Sequence, residues 1–251
     1  MPRINHQIDD PFLPVRKEQL FTSDNRPSSQ YAVMLQQENQ EIEVGHVSEN
    51  YQLVPNETVH QIALDVLSRS NLGFDDAGMI FDGKRYRQRW VLPDLSVEPK
   101  KNDIVQLTFD VINSYDGSTT FGLAFNAQRL VCTNGLLLDF LLGGFRFRHF
   151  GHDAFPEEME LAVSSLQNLS AQLEPLNSKL QYMIDQPVDR HYIQQAFTDL
   201  KLTDKMKANV FMEVEEDTAW GFYNACTHVL SRAGTHHADN INRQVSRYML
   251  S

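Results

Sequence analysis

The sequence predicts an α+β protein, with a mostly antiparallel sheet and packed helices followed by a helical C-terminal region. Apolar and polar residues alternate in the middle of the chain, with turn residues between the segments. From Pro156 onward, apolar residues follow a three-four spacing instead. Residues 1–30 contain four prolines and no sustained period. We therefore expect a polar N-terminal arm over 1–30, a sheet and helix core over 31–152, and a helical region over 153–251.

The core begins with two short strand signals and a helix signal. Residues 31–35 and 41–44 flank a polar turn and predict two strands. Asn56 precedes an apolar stripe, so we expect its side chain to cap a helix. The stripe consists of Val59, Ile62, Ala63, Val66 and Leu67.

The clearest strand signals follow this helix. Asp82-Gly83-Lys84 separates 78–81 from 85–92, and an Asp-Gly pair favours a hairpin turn because it tolerates positive φ. Residues 104–112 alternate strictly, and a further strand is predicted over 120–128. The apolar run at 136–142 predicts a short buried helix.

The C-terminal region contains a heptad-like seam, which Pro175 should kink or break. Such a seam packs either against its own domain or against a second subunit. Its members are Met159, Ala162, Leu166, Leu169, Leu173, Leu176, Leu180 and Met183. A last helix is predicted over about 216–232, with one face formed by Ala219, Tyr223, Cys226 and Leu230.

Composition excludes several classes of protein. The 251 residues are 41% hydrophobic and 22% charged, as in folded soluble proteins. The two cysteines, Cys132 and Cys226, exclude a disulfide scaffold and a cysteine-cluster zinc site. No run approaches the roughly 18 apolar residues of a membrane helix, and the first residues lack an apolar signal core. We expect a cytoplasmic protein with reduced thiols.

The net charge of −11 argues against nucleic acid as a partner, but the charge is unevenly distributed. Residues 84–150 contain nine Lys and Arg against six Asp and Glu, a net charge of +3. The remainder of the chain has a net charge of −14. Either this is ordinary surface variation, or the middle of the chain is a binding region for an anionic partner.

Two basic segments favour the interpretation that the middle of the chain binds an anionic partner. On a strand, Arg85, Arg87 and Arg89 form one row, with Tyr86 and Trp90 on the opposite face. Such a row has a spacing of about 6.5–7 Å, which is similar to the phosphate spacing of an extended single strand. The second segment contains Arg146 and Arg148, and three lysines add charge nearby: Lys84, Lys100 and Lys101.

Basic residues interleaved with aromatic residues suit a groove for single-stranded nucleic acid, because charge meets phosphate and rings stack on bases. Tyr86 and Trp90 stack bases only if their face is open. Otherwise the arginines form an exposed strand face and the aromatic residues belong to the core.

Other candidate sites are weak. The His236-His237-x-Asp239 segment lies between Gly234 and Asn240, which favours a solvated turn over a metal site. Asp82-x-Lys84 matches an element of some metal nucleases, although it falls on the predicted turn. Cys132 and His149 have no recognisable nucleophile setting, so a structural thiol is expected. The sequence contains no phosphate-binding loop and no dinucleotide fingerprint, so we expect neither nucleotide hydrolysis nor a cofactor.

Four segments, in order, resemble a phage and plasmid-like family, the domain of unknown function family 932. Residues 45–56 resemble its G-x-V-S-x-x-Y-x-x-V-x-N stretch, and 113–118 its N-S-H-D-G-S loop, with Tyr115 at the usual His. Residues 129–136 resemble R-x-V-C-x-N-x-L, and 218–227 resemble T-A-W-x-x-x-N-A-x-T. We call these four the signature segments. The resemblance implies no established activity and no catalytic residues.

A remote similarity in topology also exists, because hairpins followed by a helix occur in the ring-forming single-strand annealing proteins of phages. We therefore expect a single-stranded DNA-binding and annealing protein of a phage or plasmid recombination system, acting as a homo-oligomer. The alternative is a non-enzymatic acidic protein of a mobile element that binds or inhibits a host or phage protein. A metal-dependent nuclease would require Asp82, Lys84 and further acids to converge.

Overall fold

The computed structural model describes residues 8, 10–38, 40–130, 134–136, 142, 144–147, 155–233 and 236–250. Within these ranges the chain is α+β, as predicted, with two antiparallel sheets and seven α-helices. No helix in the described ranges has the length and apolar character needed to cross a membrane.

The first sheet has three strands in the order β1-β2-β3. These are β1 (Val15–Phe21), β2 (Pro27–Gln37) and β3 (Gln40–Ser48). β1 begins opposite the end of β2, where Val15 pairs with Leu35. Residues 1–30 are therefore not a polar arm from Val15 onward. The strand was missed because, at the edge of the sheet, Arg16 and Glu18 are exposed and the residues facing the core include Lys17 and Gln19.

The second sheet has the order β4-β5-β6-β7-β8, and β9 also pairs with β7. Its strands are β4 (Asp75–Phe81), β5 (Arg85–Lys100), β6 (Asp103–Ser114), β7 (Phe121–Arg129), β8 (Asn134–Leu136) and β9 (Gly144–Phe147). The predicted turn between β4 and β5 is confirmed. Asp82 Oδ1 accepts the amides of Lys84 at 2.9 Å and Arg85 at 2.7 Å, and Gly83 has φ of 86°.

The helices are α1 (Asn56–Ser70), α2 (Phe155–Gln167), α3 (Leu173–Asp185), α4 (Arg190–Asp199), α5 (Asp204–Glu213), α6 (Ala219–Ala233) and α7 (His236–Leu250). The predicted face of α6 is confirmed, since Ala219, Tyr223, Cys226 and Leu230 are buried. His236 begins α7, so the expected surface turn at His236–Asp239 is wrong. The helix predicted over 136–142 lies mostly outside the described residues.

The prediction that Asn56 caps α1 with its side chain is wrong. Pro55 is the N-cap residue, and no side chain caps the helix. Asn56 is 1% exposed, and its side chain donates to the carbonyl of Pro11 at 3.0 Å. At the first position of the helix, the Asn56 side chain is available for tertiary contacts. It therefore forms a tertiary hydrogen bond instead of the predicted cap.

The heptad-like seam is buried inside its own chain. Seven of its eight residues are buried, and Leu173 is half-buried. The break expected at Pro175 falls earlier, where a 3-10 turn (Leu169–Gln172) separates α2 from α3. Pro175 is tolerated because it lies in the first turn of α3, where a backbone amide needs no intrahelical acceptor. The seam therefore provides no apolar stripe for a second subunit.

The chain divides into two compact units, each assembled from separate pieces. Unit 1 comprises Met1–Trp90, Phe109–Ala124 and Gly144–Gln167, and unit 2 comprises Val91–Thr108, Phe125–Gly143 and Asn168–Ser251. A core of unit 1 includes Val33, Leu35, Val44, Val47, Tyr51 and Tyr115. In unit 2, α6 packs against α3, α5, α7 and β8. The units thus differ from the predicted division of the chain near residue 152.

Candidate nucleic-acid interface

The predicted arginine row lies on β5. Arg85, Arg87 and Arg89 are half-buried, and the residues between them and after them, Tyr86, Gln88 and Trp90, are buried. The alternation predicted from the sequence is therefore present, with the arginines on the more accessible face. What remains is how much positive charge this face presents to solvent.

Arg89 presents little, because Asp110 neutralises it. Its Nε donates to Asp110 Oδ1 at 2.8 Å, and its Nη2 donates to Oδ2 at 2.7 Å. The Asp110 side chain is 2% exposed and that of Arg89 is 19% exposed. Such a two-point pair satisfies both groups in the protein interior. Arg89 is therefore a structural residue rather than a phosphate ligand.

Lys84 and Arg85 differ from Arg89. Arg85 Nε donates to the neutral hydroxyl of Ser118 at 3.1 Å, and Lys84 is exposed. Among the described residues, neither side chain has a carboxylate within salt-bridge distance. The carboxylates of Asp82 and Asp116 accept backbone amides instead, Asp116 from Ser118 at 2.9 Å. The start of β5 therefore presents two cations to solvent.

Tyr86 and Trp90 are not accessible for base stacking. Tyr86 is 1% exposed and Trp90 is 2% exposed. The Tyr86 hydroxyl donates to Gln88 Oε1 at 2.7 Å, and the Trp90 ring packs 6.1 Å from the ring of Phe109. Base stacking requires an open face, but this face of β5 packs against the core. The predicted stacking role of Tyr86 and Trp90 is therefore wrong.

The structure describes only part of the remaining basic residues. Lys100 ends β5 and pairs with Glu216, and Lys101 is exposed in the turn that follows. Arg146 lies opposite Gly122 in the pairing of β9 with β7. The side chain of Arg146 and the whole of Arg148 lie outside the described residues. The structure thus brings Lys84 and Arg85 together, with Arg87 next along the strand.

The first two signature segments meet beside these cations. A Cβ on Gly45 of β3 would lie 2.8 Å from the carbonyl oxygen of Tyr115 and 2.9 Å from Cα of Asp116, so only glycine allows this approach. The Tyr51 hydroxyl donates to the carbonyl of Ser114 at 2.7 Å. We call the assembly of Gly45–Asn56, Asp82–Arg85 and Asn113–Ser118 the loop site.

Hydrogen bonds of buried neutral groups hold the loop site together. Asn113 Nδ2 donates to the carbonyl of Val54 at 2.9 Å and to Asn56 Oδ1 at 2.8 Å. The amide of Asn56 donates to the Tyr115 hydroxyl at 2.9 Å. The amide of Tyr115 donates to the carbonyl of Lys84 at 2.7 Å, which fixes the basic turn on the signature loop.

Burial changes the acidity of the two tyrosines in this assembly. It raises the pKa of Tyr51 to about 12. It likewise raises the pKa of Tyr115 to about 12, partly offset by the hydrogen bond from the backbone of Asn56. Both phenols are therefore neutral at physiological pH, and neither is a base or a nucleophile there.

The other two signature segments meet in unit 2, at Asp103. Arg129 Nε donates to Asp103 Oδ1 at 2.6 Å, and its Nη2 donates to Oδ2 at 2.8 Å. Trp220 Nε1 donates to Asp103 Oδ2 at 3.0 Å, and the guanidinium lies 5.6 Å from the Trp220 ring centroid. We call these three residues the Asp103 cluster. It joins α6 to the strands, and the sequence interpretation did not single out Asp103.

The structure describes only some of the remaining sequence candidates. Within the described ranges, no group of three or more His, Cys, Asp or Glu residues is arranged to hold a metal ion. Burial raises the pKa of the Cys226 thiol, which is inaccessible in α6. Cys132 and His149 lie outside the described residues.

Comparisons with known proteins identify the family and nothing beyond it. Neither the curated proteins nor the solved structures include a match to the chain. A family model, the domain of unknown function DUF932, matches residues 43–249, which contain all four signature segments. Because this match covers most of the sequence, the chain belongs to the DUF932 family.

Proposed function

We propose that this DUF932 protein binds single-stranded DNA in the cytoplasm and promotes annealing in a phage or plasmid recombination system, without nucleotide hydrolysis. The observation that carries the proposal is the pair of cations on the loop site, of which Lys84 is exposed and Arg85 is half-buried. Their charge is available to phosphate because, among the described residues, neither has a carboxylate within salt-bridge distance and Arg85 Nε donates to a neutral hydroxyl.

The footprint is smaller than the sequence suggested. Asp110 neutralises Arg89, and Glu216 neutralises Lys100. With both stacking rings buried, affinity rests on phosphate contacts rather than on base contacts. We therefore expect weak, salt-sensitive binding with little sequence preference.

Fluorescence anisotropy with labelled single-stranded and double-stranded oligonucleotides, titrated with salt, tests the proposal. The double variant Lys84→Met with Arg85→Met should bind more weakly and flatten the salt dependence. Each lost contact to a single strand contributes about 0.7, so the slope should fall by about 1.4 log units per log unit of salt.

Lys205→Met is the matched control, because Lys205 is an exposed lysine of α5 in unit 2. This variant should leave affinity and slope unchanged. No binding by the folded wild-type protein at low salt contradicts the proposal, and so does an unchanged slope in the double variant.

Ring-type annealing also requires assembly, and the seam no longer supports it, because its residues are buried within one chain. Light scattering after size-exclusion chromatography, with and without oligonucleotide, measures the oligomeric state. A monomer under both conditions would remove ring-type annealing and leave single-strand binding to be judged by the salt titration.

The alternative function, an acidic protein that binds a host or phage protein, has one observation in its favour. β4 lies at the edge of the second sheet with Asp75 and Asp76 exposed, and it also exposes Met79 by 42% and Ile80 by 68%. An exposed sheet edge is a common surface for pairing with a strand of another protein. Native mass spectrometry of tagged wild-type and Ile80→Lys proteins from a natural host tests this alternative. A stoichiometric partner present with both proteins, or with neither, would contradict a role for β4.

A further inference from the structure

A depression of about 600 Å³ opens next to the loop site in unit 1. It is lined by Lys17 of β1 and by the stretch that follows β3, namely Glu49, Asn50, Tyr51, Gln52 and Leu53. All five residues of this stretch belong to the first signature segment. The depression therefore combines one cation with the backbone and side chains of a loop.

Lys17 lies in this depression, and no carboxylate of the described residues pairs with it. Its Nζ donates to the carbonyl of Glu49 at 2.8 Å and to that of Tyr51 at 2.7 Å. The same atom lies 5.0 Å from the centroid of the Tyr31 ring. An ammonium group has three protons, and within the described part of the chain only two of them have acceptors.

The neighbouring residue on β1, Arg16, forms the ion pairs that are usual for a surface cation. Arg16 pairs with Glu18 at 2.7 Å and with Glu41 at 2.8 Å. Lys17 has carbonyl dipoles and an aromatic face instead, which orient the ammonium but leave its charge uncompensated. A partly buried cation of this kind is completed by an anion.

The depression adds groups that select the anion. Asn50 lines the same depression as Lys17 and is exposed, and its carboxamide carries N–H donors. A phosphate group has several acceptor oxygens and can accept from both. The carboxylate of Glu49 also lines the depression and opposes an anion there, so changing its charge should alter affinity in a known direction.

Residue contacts link the depression to Arg85 of the loop site. Tyr51 lines the depression, and its ring lies 3.8 Å from the position of a Cβ on Gly117. The next residue, Ser118, accepts from Arg85. A chain of contacts therefore leads from Arg85 past the signature loop to Lys17.

We propose that the Lys17 depression is a subsite for a terminal phosphate group. The group belongs either to the end of a single strand held by Lys84 and Arg85 or to a free mononucleotide. This inference rests on the proposed function for the strand, whereas the phosphate chemistry of the subsite depends on Lys17 and not on Lys84 or Arg85.

Anisotropy with oligonucleotides of one sequence tests the subsite, using a 5′-phosphate, a 3′-phosphate or hydroxyl groups at both ends. A phosphate at one end should tighten wild-type binding by about fivefold to tenfold, as expected for one charge-assisted contact. Lys17→Met should abolish this preference. Arg16→Met, on the same strand, is the matched control and should retain the preference.

A second variant tests the subsite without replacing Lys17, whose hydrogen bonds to Glu49 and Tyr51 also support the fold. Glu49→Gln keeps the backbone carbonyl that accepts from Lys17 and removes the opposing charge, so the preference for the phosphate end should increase. Equal binding of all three wild-type ligands overturns the inference, and so does a preference that survives Lys17→Met or is unaffected by Glu49→Gln.

Adenosine monophosphate distinguishes the two sources of the phosphate. Calorimetric titration measures its binding, and anisotropy measures whether it displaces the labelled strand. Displacement of the labelled strand by the mononucleotide indicates a mononucleotide site, and a preference without displacement indicates a strand end. If no oligonucleotide binds, the proposed function fails by itself. Mononucleotide binding that requires Lys17 would then still support the subsite, and its absence would overturn it.

Discussion

The loop site and the Asp103 cluster are each formed where two signature segments meet, yet they use charge in opposite ways. In unit 2, Asp103 accepts from both Arg129 and Trp220, so the charges of the cluster are consumed inside the protein. In unit 1, neutral groups such as Asn113 and Tyr115 make the joining hydrogen bonds. The loop site keeps its cations outside this network.

This difference separates structural from functional charge within one family pattern. A charged residue in a signature segment is informative about binding only after its partners have been found. Arg129 belongs to a signature segment but serves the fold, whereas Lys84 and Arg85 lie outside the segments and face solvent.

The largest expected effect comes from breaking the Asp103 cluster. Asp103→Ala removes the carboxylate that Arg129 and Trp220 share, and leaves a largely buried guanidinium without its counter-ion. We expect the free energy of unfolding to fall by about 3–5 kcal/mol, measured by urea denaturation. The control is Asp204→Asn, which breaks the exposed pair with Lys207. This variant should lower the free energy of unfolding by less than about 1 kcal/mol. A loss below 1 kcal/mol for Asp103→Ala would contradict the structural role.

A smaller effect is expected from crowding the loop site. Gly45→Ala places a methyl group against the backbone of Tyr115 and Asp116, which cannot move without shifting the signature loop. We expect a loss of about 1–3 kcal/mol in unfolding free energy, together with weaker oligonucleotide binding. Ser48→Ala, exposed on the same strand, should change stability by no more than about 0.5 kcal/mol. Equal stability of the two variants would show that the loop adapts to the methyl group.

Alkaline pH should loosen the loop site through its tyrosines. The pKa values of Tyr51 and Tyr115 are raised from 10.0 to about 12, so above pH 10 the unfolded chain binds fewer protons than the folded one. Their contribution to stability is thus complete below pH 10 and is lost as the pH rises to about 12. Urea denaturation between pH 9 and pH 12 measures this loss, which should be a few kcal/mol for the two tyrosines together, on the order of 1–2 kcal/mol each. A double Tyr→Phe variant at these positions should flatten the dependence, and an unchanged slope would contradict it.

The sequence predicted the strands of the second sheet better than it predicted their charges. Alternation over β5 and β6 is a local property, so both strands were found, with bounds too short. The neutralisation of Arg89 depends on Asp110, which is 21 residues away and becomes a neighbour only once the strands are in register. Burial of Tyr86 and Trp90 was undecided for the same reason, since the packed face of a strand is a tertiary property.

The contacts of the first signature segment were also beyond local patterns. Asn56 carries the composition of a cap, but it bonds to Asn113, which is 57 residues away. Gly45 has no positive φ to explain it, and its reason is the approach of a loop about 70 residues later in the chain. The family resemblance marked both segments without indicating that they touch.

The smallest expected effect tests where the footprint ends. Glu216→Gln removes the partner of Lys100, and because both side chains are about half exposed, stability should change by less than about 1 kcal/mol. The freed lysine lies at the far end of β5 from Lys84 and Arg85. If nucleic acid is held at the loop site, the salt slope of binding should stay the same in this variant. A slope steeper by about 0.7 log units per log unit of salt would instead show that the nucleic acid reaches Lys100. The contrast between the two ends of β5 would then result from the pairing of Lys100 with Glu216, and not from the distance between Lys100 and the bound nucleic acid.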